Sequence, residues 1–255
     1  RRARAAVRLD HIAVDGDLHL AKRDKVGDGA QRPADEALDF ERPPALLAAG
    51  GLAAHAQDTL RERARAALTQ AAGFFHDRGA SHGGYAYYYS EDLRERWGEG
   101  AGTADQIWVQ PPGTPAVGRA FLRAYQATGG VRWREAARDA GLALAYGQLK
   151  SGGWTQTIDF DPQGSRVALY RNGRGQGRNH TSLDDNQTQS AIAFLATLDE
   201  ALGFQDATIH AAAGVALEAL LAAQFPNGAF PQGFTGPVAA HPVVSASFPD
   251  EWPRT

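Results

Sequence analysis

Gln148-Leu-Lys-Ser-Gly152-Gly153-Trp154-Thr-Gln156 is the stretch on which the fold reading turns, because a second copy follows it at Gln224-Phe-Pro-Asn227-Gly228-Ala-Phe230-Pro-Gln232. Both fit Gln-x-x-x-Gly-x-aromatic, and a looser copy, Gly79-Ala-Ser-His-Gly83-Gly84-Tyr85, lies upstream. Each copy follows a helical pattern and precedes a polar loop that feeds another helix, so a unit recurs about every seventy residues. Helical hairpins repeated in this way cannot bury their apolar faces singly and must stack on one another.

Around these turns, the helices are predicted from apolar residues three and four apart and from Pro and Gly punctuation. In the first unit, Leu60, Ala64, Leu68, Ala71 and Phe75 make a stripe over 55–78 that Gly79 ends. Its partner covers 115–128, opening at Pro115 and stopping at Gly129-Gly130. The second unit has helices over 133–150 and 183–202, and a third begins with 207–224. Ala120-Phe121-Leu122 and Ala193-Phe194-Leu195 correspond in the two partner helices, so the repeat is in the helices as well as the turns. The fold class read from this is all-α: an incomplete (α/α) toroid of repeated hairpins, with first-type helices outside and partner helices inside. Residues 51–255 form the partial toroid. Residues 1–50 are an irregular extension in which Val7, Leu9, Ile12, Val14, Leu18 and Leu20 alternate around Asp15-Gly16 as a small hairpin would.

Composition narrows the function classes. A chain of 255 residues with 43% hydrophobic content can hold one large domain or a domain with an extension. A net charge of −3 gives no general pull toward nucleic acid or an anionic membrane surface. Zero cysteine excludes disulfides, thiolate metal sites and a cysteine nucleophile. No run reaches the ~18 apolar residues of a membrane span, and no secretion signal is visible. With no methionine, the chain is expected to be processed or partial.

In such an array every loop from an outer to an inner helix leaves on the same side, which makes that rim the expected site. It gathers Tyr85, Tyr87, Tyr88, Tyr89, Trp108, Trp154, Phe230 and Gln232 with Arg166, Arg171, Arg174 and Arg178. Aromatic faces suit sugar rings and guanidinium forks suit carboxylates, so an acidic polysaccharide is the ligand class. The bland alternative is that each Gln caps neighbouring backbone groups and each ring packs between hairpins. The sharpest polar group is His180-Thr-Ser182-Leu-Asp184-Asp185-Asn186-Gln187-Thr188. Ser182-x-x-Asp185 fits a capping box at the start of the inner helix, whereas crowded carboxylates beside an Asn also suit a hard cation such as calcium. No histidine–acid pattern accompanies Ser182 or Thr188, which argues against a serine hydrolase. Gly173, Gly175 and Gly177 lack the lysine–hydroxyl pair of a phosphate loop.

Together these motifs resemble the family 10 polysaccharide lyases, the pectate lyases of (α/α) toroidal fold. The resemblance rests on Ser151-Gly-Gly-Trp154-Thr-Gln156, Leu183-Asp184-Asp185-Asn186-Gln-Thr188, Ala193-Phe-Leu195 and Gln224 to Gln232, in that order. It implies calcium-assisted β-elimination of polygalacturonate, with calcium as cofactor and pectate as partner, in a secreted or periplasmic, bacterial enzyme. Carried onto this sequence, Asp185 is the catalytic acid on the substrate or calcium side, and Asp184 and Asp185 are the metal ligands. Trp154, Gln156, Arg178, Asn186, Thr188, Asn227, Phe230 and Gln232 are the substrate-binding residues. Two departures stand out. The family's second acidic motif and its arginine base follow the Asn-Gly-aromatic-Pro-Gln loop, so they are expected beyond Thr255, and Ala229-Phe230 replaces Gly-Trp. Two other classes remain open. One is a terpene-cyclase-like toroid, which shares the Gln-x-x-x-Gly-x-Trp repeat but needs an Asp-x-Asp-Asp acid that this chain lacks. The other is a non-catalytic glycan-binding toroid.

Overall fold

The structure, a computed structural model, describes residues 7–8 and 44–239, with side chains described from residue 59 onward. By its contacts the chain divides into two units, Ala13–Phe75 and a larger one made of Arg1–Ile12 and His76–Thr255.

In the smaller unit the described part is helix α1, Pro44–Gly79, whose last turn belongs to the larger unit. It starts eleven residues before the expected 55, because the alanine-rich run before that point sustains a helix through Gly50-Gly51. Leu60 and Leu68 of the expected stripe are exposed, and so is Phe74. The proposed hairpin around Asp15-Gly16 lies outside the described residues.

The larger unit is built on α2 (Thr114–Thr128), α3 (Val131–Tyr146), α4 (Gln187–Ala201) and α5 (Ala207–Ala222). α2 turns into α3 at Gly129, whose left-handed backbone (φ +70°) lets its N–H donate to the Tyr125 carbonyl at 2.7 Å. α4 turns into α5 through Asp206, whose carboxylate accepts from the N–H groups of Thr208 and Ile209. Asp206 also pairs with Arg138 at 2.7 Å, which ties α5 to α3. α2 packs on α4 and α3 on α5, while α2 also packs on α3 and α4 on α5, so the helices form two layers. Phe121, Leu122, Leu144, Phe194, Leu195, Leu198 and Ile209 fill the space between them.

Besides the helices, eight strands of two or three residues occur among the described residues, six of them in the connections between helices. β1 (Val7–Arg8), β2 (Tyr88–Tyr89), β3 (Arg96–Trp97) and β4 (Ala101–Gly102) make one antiparallel sheet. β5 (Gln106–Trp108) pairs with β6 (Thr157–Asp159), Trp108 opposite Thr157. β7 (Thr181–Ser182) pairs with β8 (Gly233–Phe234), Thr181 opposite Phe234. Segments this short show no two-residue periodicity, and their partners are distant in sequence, so pattern reading passes over them. The last two pairs follow one rule: the strand before an inner helix pairs with the strand just after the next Gln-x-x-x-Gly-x-aromatic turn. Neighbouring hairpins are thereby stitched at the rim.

The turns repeat in geometry as well as in sequence. Gly83, Gly152 and Gly228 all have left-handed backbones (φ +85°, +98° and +86°), the conformation a Cβ disfavours. Gly152 and Gly228 donate to the carbonyls of Leu149 and Phe225, and the latter two residues donate back to Gly153 and Ala229. The glutamine closes the turn. Gln148 is fully buried; its Nε2 donates to the carbonyls of Gly152 (2.8 Å) and Ala212 (2.9 Å), and its Oε1 accepts from Arg171 (3.0 Å). Gln224 makes the equivalent bond to Gly228 at 2.9 Å from an exposed position.

The two glutamines therefore differ in consequence. Gln148→Ala removes both donated bonds, leaving the Gly152 carbonyl without its side-chain donor and unfastening the turn from α5, and is expected to cost about 1–3 kcal/mol in thermal or denaturant unfolding. Gln224→Ala is expected to cost no more than about 0.5 kcal/mol. Equal effects would show that the burial of Gln148 is not what matters.

Candidate functional site

Of the two readings of the polar segment before α4, the capping box is not formed. α4 begins at Gln187, and Asp184–Asn186 make a single 3-10 turn in which Asp185 (φ +47°, ψ 32°) and Asn186 (φ +57°, ψ 28°) both lie in the left-handed region. Asn and Asp enter that region more readily than most residues, yet two in succession still carry strain. Inside the turn the Asp184 N–H donates to Ser182 Oγ (3.2 Å) and the Asp185 N–H to Asp184 Oδ1 (3.1 Å). The Asp185 carboxylate caps nothing, and leaves the helix start for a neighbour in another hairpin.

That neighbour is Gln110, which follows β5 and is only 8% exposed. Its Nε2 donates to Asp185 Oδ2 (3.2 Å) and to Glu99 Oε1 (3.0 Å), and its Oε1 accepts from Gln156 Nε2 (3.0 Å). Gln156 also donates to Glu99 Oε2 at 2.6 Å. Two amides thus separate and hold two carboxylates. Among the described residues the buried Tyr87 hydroxyl has no hydrogen-bond partner, and burial, then Glu99, then Asp185 push its phenol well above its ordinary range, so it stays protonated. Glu99 and Gln110 were not among the residues singled out from the sequence. The available signal was Glu99 set between Gly98 and Gly100: a Cβ at Gly98 would lie 1.9 Å from Trp108 Nε1, so only glycine lets this loop lie on the indole.

Next to this cluster is a cleft of about 210 Å³ lined by Thr155, Thr157, Arg166, Val167, Ala168, Arg178 and His180. The Arg166 guanidinium stands over the Trp108 ring at 5.2 Å and donates to Gln106 Oε1 at 3.3 Å. Burial and the Arg178 charge push the His180 imidazole below its usual range. Of the other rim arginines, Arg171 is bound to Gln148, and Arg174 is exposed on the loop that its own N–H closes against Asn172.

The aromatic rim needs correcting. Trp154 is fully buried and its indole N–H donates to the Leu144 carbonyl at 2.8 Å, so its ring offers no face to a sugar. Tyr85, Tyr87, Tyr89 and Trp108 are buried as well. Thr188 is buried too, its hydroxyl accepting from the Trp154 N–H (3.1 Å) and donating to the Trp154 carbonyl (3.2 Å), so it supports the turn instead of facing a ligand. Phe230 is 43% exposed. Asn227 closes its own turn onto the Ala229 N–H (3.1 Å), and the Gln232 carbonyl accepts from Leu183 (2.8 Å) while its side chain is exposed. With the Ser182 N–H on the Trp154 carbonyl (2.8 Å), these bonds place the Trp154 turn, the Asp185 turn and the Gln232 loop side by side. Arg178 and Asn186 are exposed; Asn186 sits at the start of α4 without capping it.

As for a cation, Asp184 and Asp185 are both exposed and bring two carboxylates together. No group of three or more acidic or histidine side chains disposed for a metal occurs among the described residues. Calcium takes six to eight oxygens, so these two carboxylates could supply only part of its coordination.

Gln110→Leu keeps the size of the side chain but removes the amide between Glu99 and Asp185. It is expected to lower stability by about 1–3 kcal/mol in thermal unfolding. An unchanged melting profile would mean that the network carries no weight.

Residues 148–250 match the family model described as pectic acid lyase. No curated protein matches the chain. Among solved structures it is similar to a family 10 polysaccharide lyase from Cellvibrio cellulosa, at 17% identity and a TM-score of 0.42, over 66% of this chain and 51% of that one. A variant of such a lyase from Cellvibrio cellulosa, with one aspartate changed to alanine and in complex with trigalacturonic acid, aligns at 17% identity, a TM-score of 0.41 and the same coverage. The chain thus spans about half the length of these two proteins. The matched segment holds the Gln148 turn, the Asp185 turn and the Gln224 turn, whereas Glu99 and Gln110 precede it. Over residues 148–250, then, the chain is similar to the pectic acid lyases.

Proposed function

We propose that this protein is a polysaccharide lyase that cleaves polygalacturonate, or a related uronan, by β-elimination. The observation that carries the reading is the Asp185 turn: inside the segment matched by the family model, a carboxylate is held out of its own helix on a left-handed backbone and fixed by Gln110. Strained polar turns of this kind cluster at functional sites.

In this reaction the proton on C5 of a uronate is removed, the electron pair forms the C4–C5 double bond, and the C4–O bond breaks with the oxygen leaving on the neighbouring sugar. The proton is acidic only to the extent that negative charge building on the adjacent carboxylate is stabilised. Asp185, with Asp184 beside it, would hold a calcium ion, which when bound would supply this charge stabilisation. Gln110 and Glu99 hold Asp185 in position. Gln156, Asn186, Phe230 and Gln232 are the rim groups left to contact sugar, with Asn227 shaping its loop, while Trp154 and Thr188 build the turn beneath. The family resemblance gives the proton-removing group as an arginine C-terminal to Gln232, and no residue described here is assigned that step.

On this reading the two helix layers belong to an incomplete (α/α) toroid within residues 51–255, with residues 1–50 as an extension. A polymeric substrate is met outside the cytoplasm, which makes the protein secreted or periplasmic. No helix among the described residues is long and apolar enough to cross a membrane.

Assayed as the full-length gene product, the protein is expected to raise the ultraviolet absorbance of a polygalacturonate solution as unsaturated ends form, and a chelator is expected to stop it. A cyclase or a glycan-binding module would give no such signal with or without the chelator.

Asp185→Asn is expected to lower the elimination rate about 10²-fold or more and to shift stability by less than about 1 kcal/mol, since Asn tolerates the same backbone. Turnover near that of the parent protein would remove Asp185 from the catalytic assignment.

A further inference from the structure

We propose that the cleft formed by Arg166, Arg178 and His180 is a subsite for the carboxylate of one uronate residue, and that it selects acidic over neutral polysaccharide. The inference rests on the lyase reading for its substrate class, but its residues are separate from the Asp185 cluster.

The lining itself points to an anion. Arg166, Arg178, His180, Thr155 and Thr157 all line it, and none of the lining residues is acidic. Among the described residues Arg166 and Arg178 have no carboxylate within ion-pair distance, whereas Arg132 and Arg138 are matched by Asp77 and Asp206. Positive charge in a cleft without a protein counter-ion is what a bound carboxylate would satisfy.

The cleft is also organised in advance. Arg166 is held from several sides: its guanidinium lies over Trp108, its Nη1 donates to Gln106, and its backbone N–H donates to the buried Asp159 carboxylate at 3.2 Å. An arginine fixed this way loses little further freedom on meeting a ligand. Gln106 does not cancel the charge, since its own amide is committed to Asp159 at 2.7 Å. At about 210 Å³ the cleft is smaller than the roughly 300–1,000 Å³ of drug-sized sites, the scale of a single sugar ring.

Its position relative to Asp185 completes the case. Glu99 takes the amides of Gln110 and Gln156, and a Cβ on the adjoining Gly100 would lie 3.4 Å from Arg166 Nη2. Thr155 and Thr157, which line the cleft, flank Gln156, which belongs to the acidic cluster. An acidic strip and a basic cleft therefore adjoin along one loop and one strand. A polyuronate carries a carboxylate on every sugar, so one residue can sit in the cleft while its neighbour lies at Asp185. A neutral chain has no group for the cleft.

The test is binding by calorimetry at neutral pH, with trigalacturonate, the matching neutral galacto-oligosaccharide and a sulfated galacto-oligosaccharide as probes. Trigalacturonate is expected to bind at least tenfold more tightly than the neutral sugar. Arg166→Gln and Arg178→Gln are each expected to remove about tenfold or more of that affinity, while Arg174→Gln leaves it unchanged. Equal binding by the two cleft variants and the parent protein, or an equal loss in Arg174→Gln, would overturn the proposal. Tighter binding of the sulfated probe would overturn its carboxylate assignment. Should a cleft variant fail to fold, the parent protein still decides the matter by NMR. Arg166 and Arg178 are the charged groups lining the cleft with His180, so a carboxylate bound there is expected to raise the pH at which His180 titrates, and an unmoved titration would refute the site. Loss of binding in the cleft variants without any elimination by the full-length product would sink the lyase reading and leave this site standing. Elimination with unaltered binding in the variants would do the reverse.

Discussion

The buried amide of Gln148 is the interaction on which the arrangement of hairpins depends. It sits where α3 ends, closes the Gly152 turn with one donated bond, and sends the other to a carbonyl of α5 in the next hairpin. A helix carbonyl already used within its helix can accept a second bond, so the contact adds to α5 without opening it. The oxygen of the same amide holds Arg171 and with it the start of the following loop. One side chain thereby couples a turn, an adjacent helix and a rim loop, and its full burial makes each bond costly to lose. In the Gln224 turn the same residue makes only the local bond and is exposed.

Once the turns are closed, the large rings have no reason to face water. Trp154 goes inward because its indole N–H finds the Leu144 carbonyl there, which removes the one polar cost of burying it. Tyr85 does the same with His76 at 2.9 Å. The rim is left to polar groups: the Glu99, Gln110, Gln156 and Asp185 network on one side and the Arg166, Arg178 and His180 cleft on the other. A rim of this kind presents charge and hydrogen-bonding groups more than aromatic faces. Phe230 is the exposed ring beside it.

Strain and restraint meet at Asp185. A carboxylate at a helix start ordinarily turns back to cap the helix and gains from the dipole. Here two left-handed residues in succession forgo that gain, and the Gln110 amide holds the carboxylate toward another hairpin. Gln110 is itself placed by β5 pairing with β6, so the position of Asp185 depends on a strand pair formed between residues far apart in the chain.

What the sequence determined by itself was the local plan. Helices α2 to α5 were legible because apolar residues at three- and four-residue spacing and Gly or Pro stops act within a few turns, and the Gly-x-aromatic turns were legible because a left-handed backbone needs glycine. The segment holding Asp185 was legible as a polar cluster. The tertiary structure alone decided where that cluster points and which residues join it. Ser182-x-x-Asp185 reads as a cap because capping is local, but its carboxylate is drawn to Gln110 across a strand pair too short to leave a pattern. Trp154 reads equally well as a binding face or a core ring, since burial is a property of neighbours that arrive from other hairpins. Glu99, Gln110 and Arg166 carry no motif at all; they join the rim only when loops far apart in sequence are brought within hydrogen-bond reach.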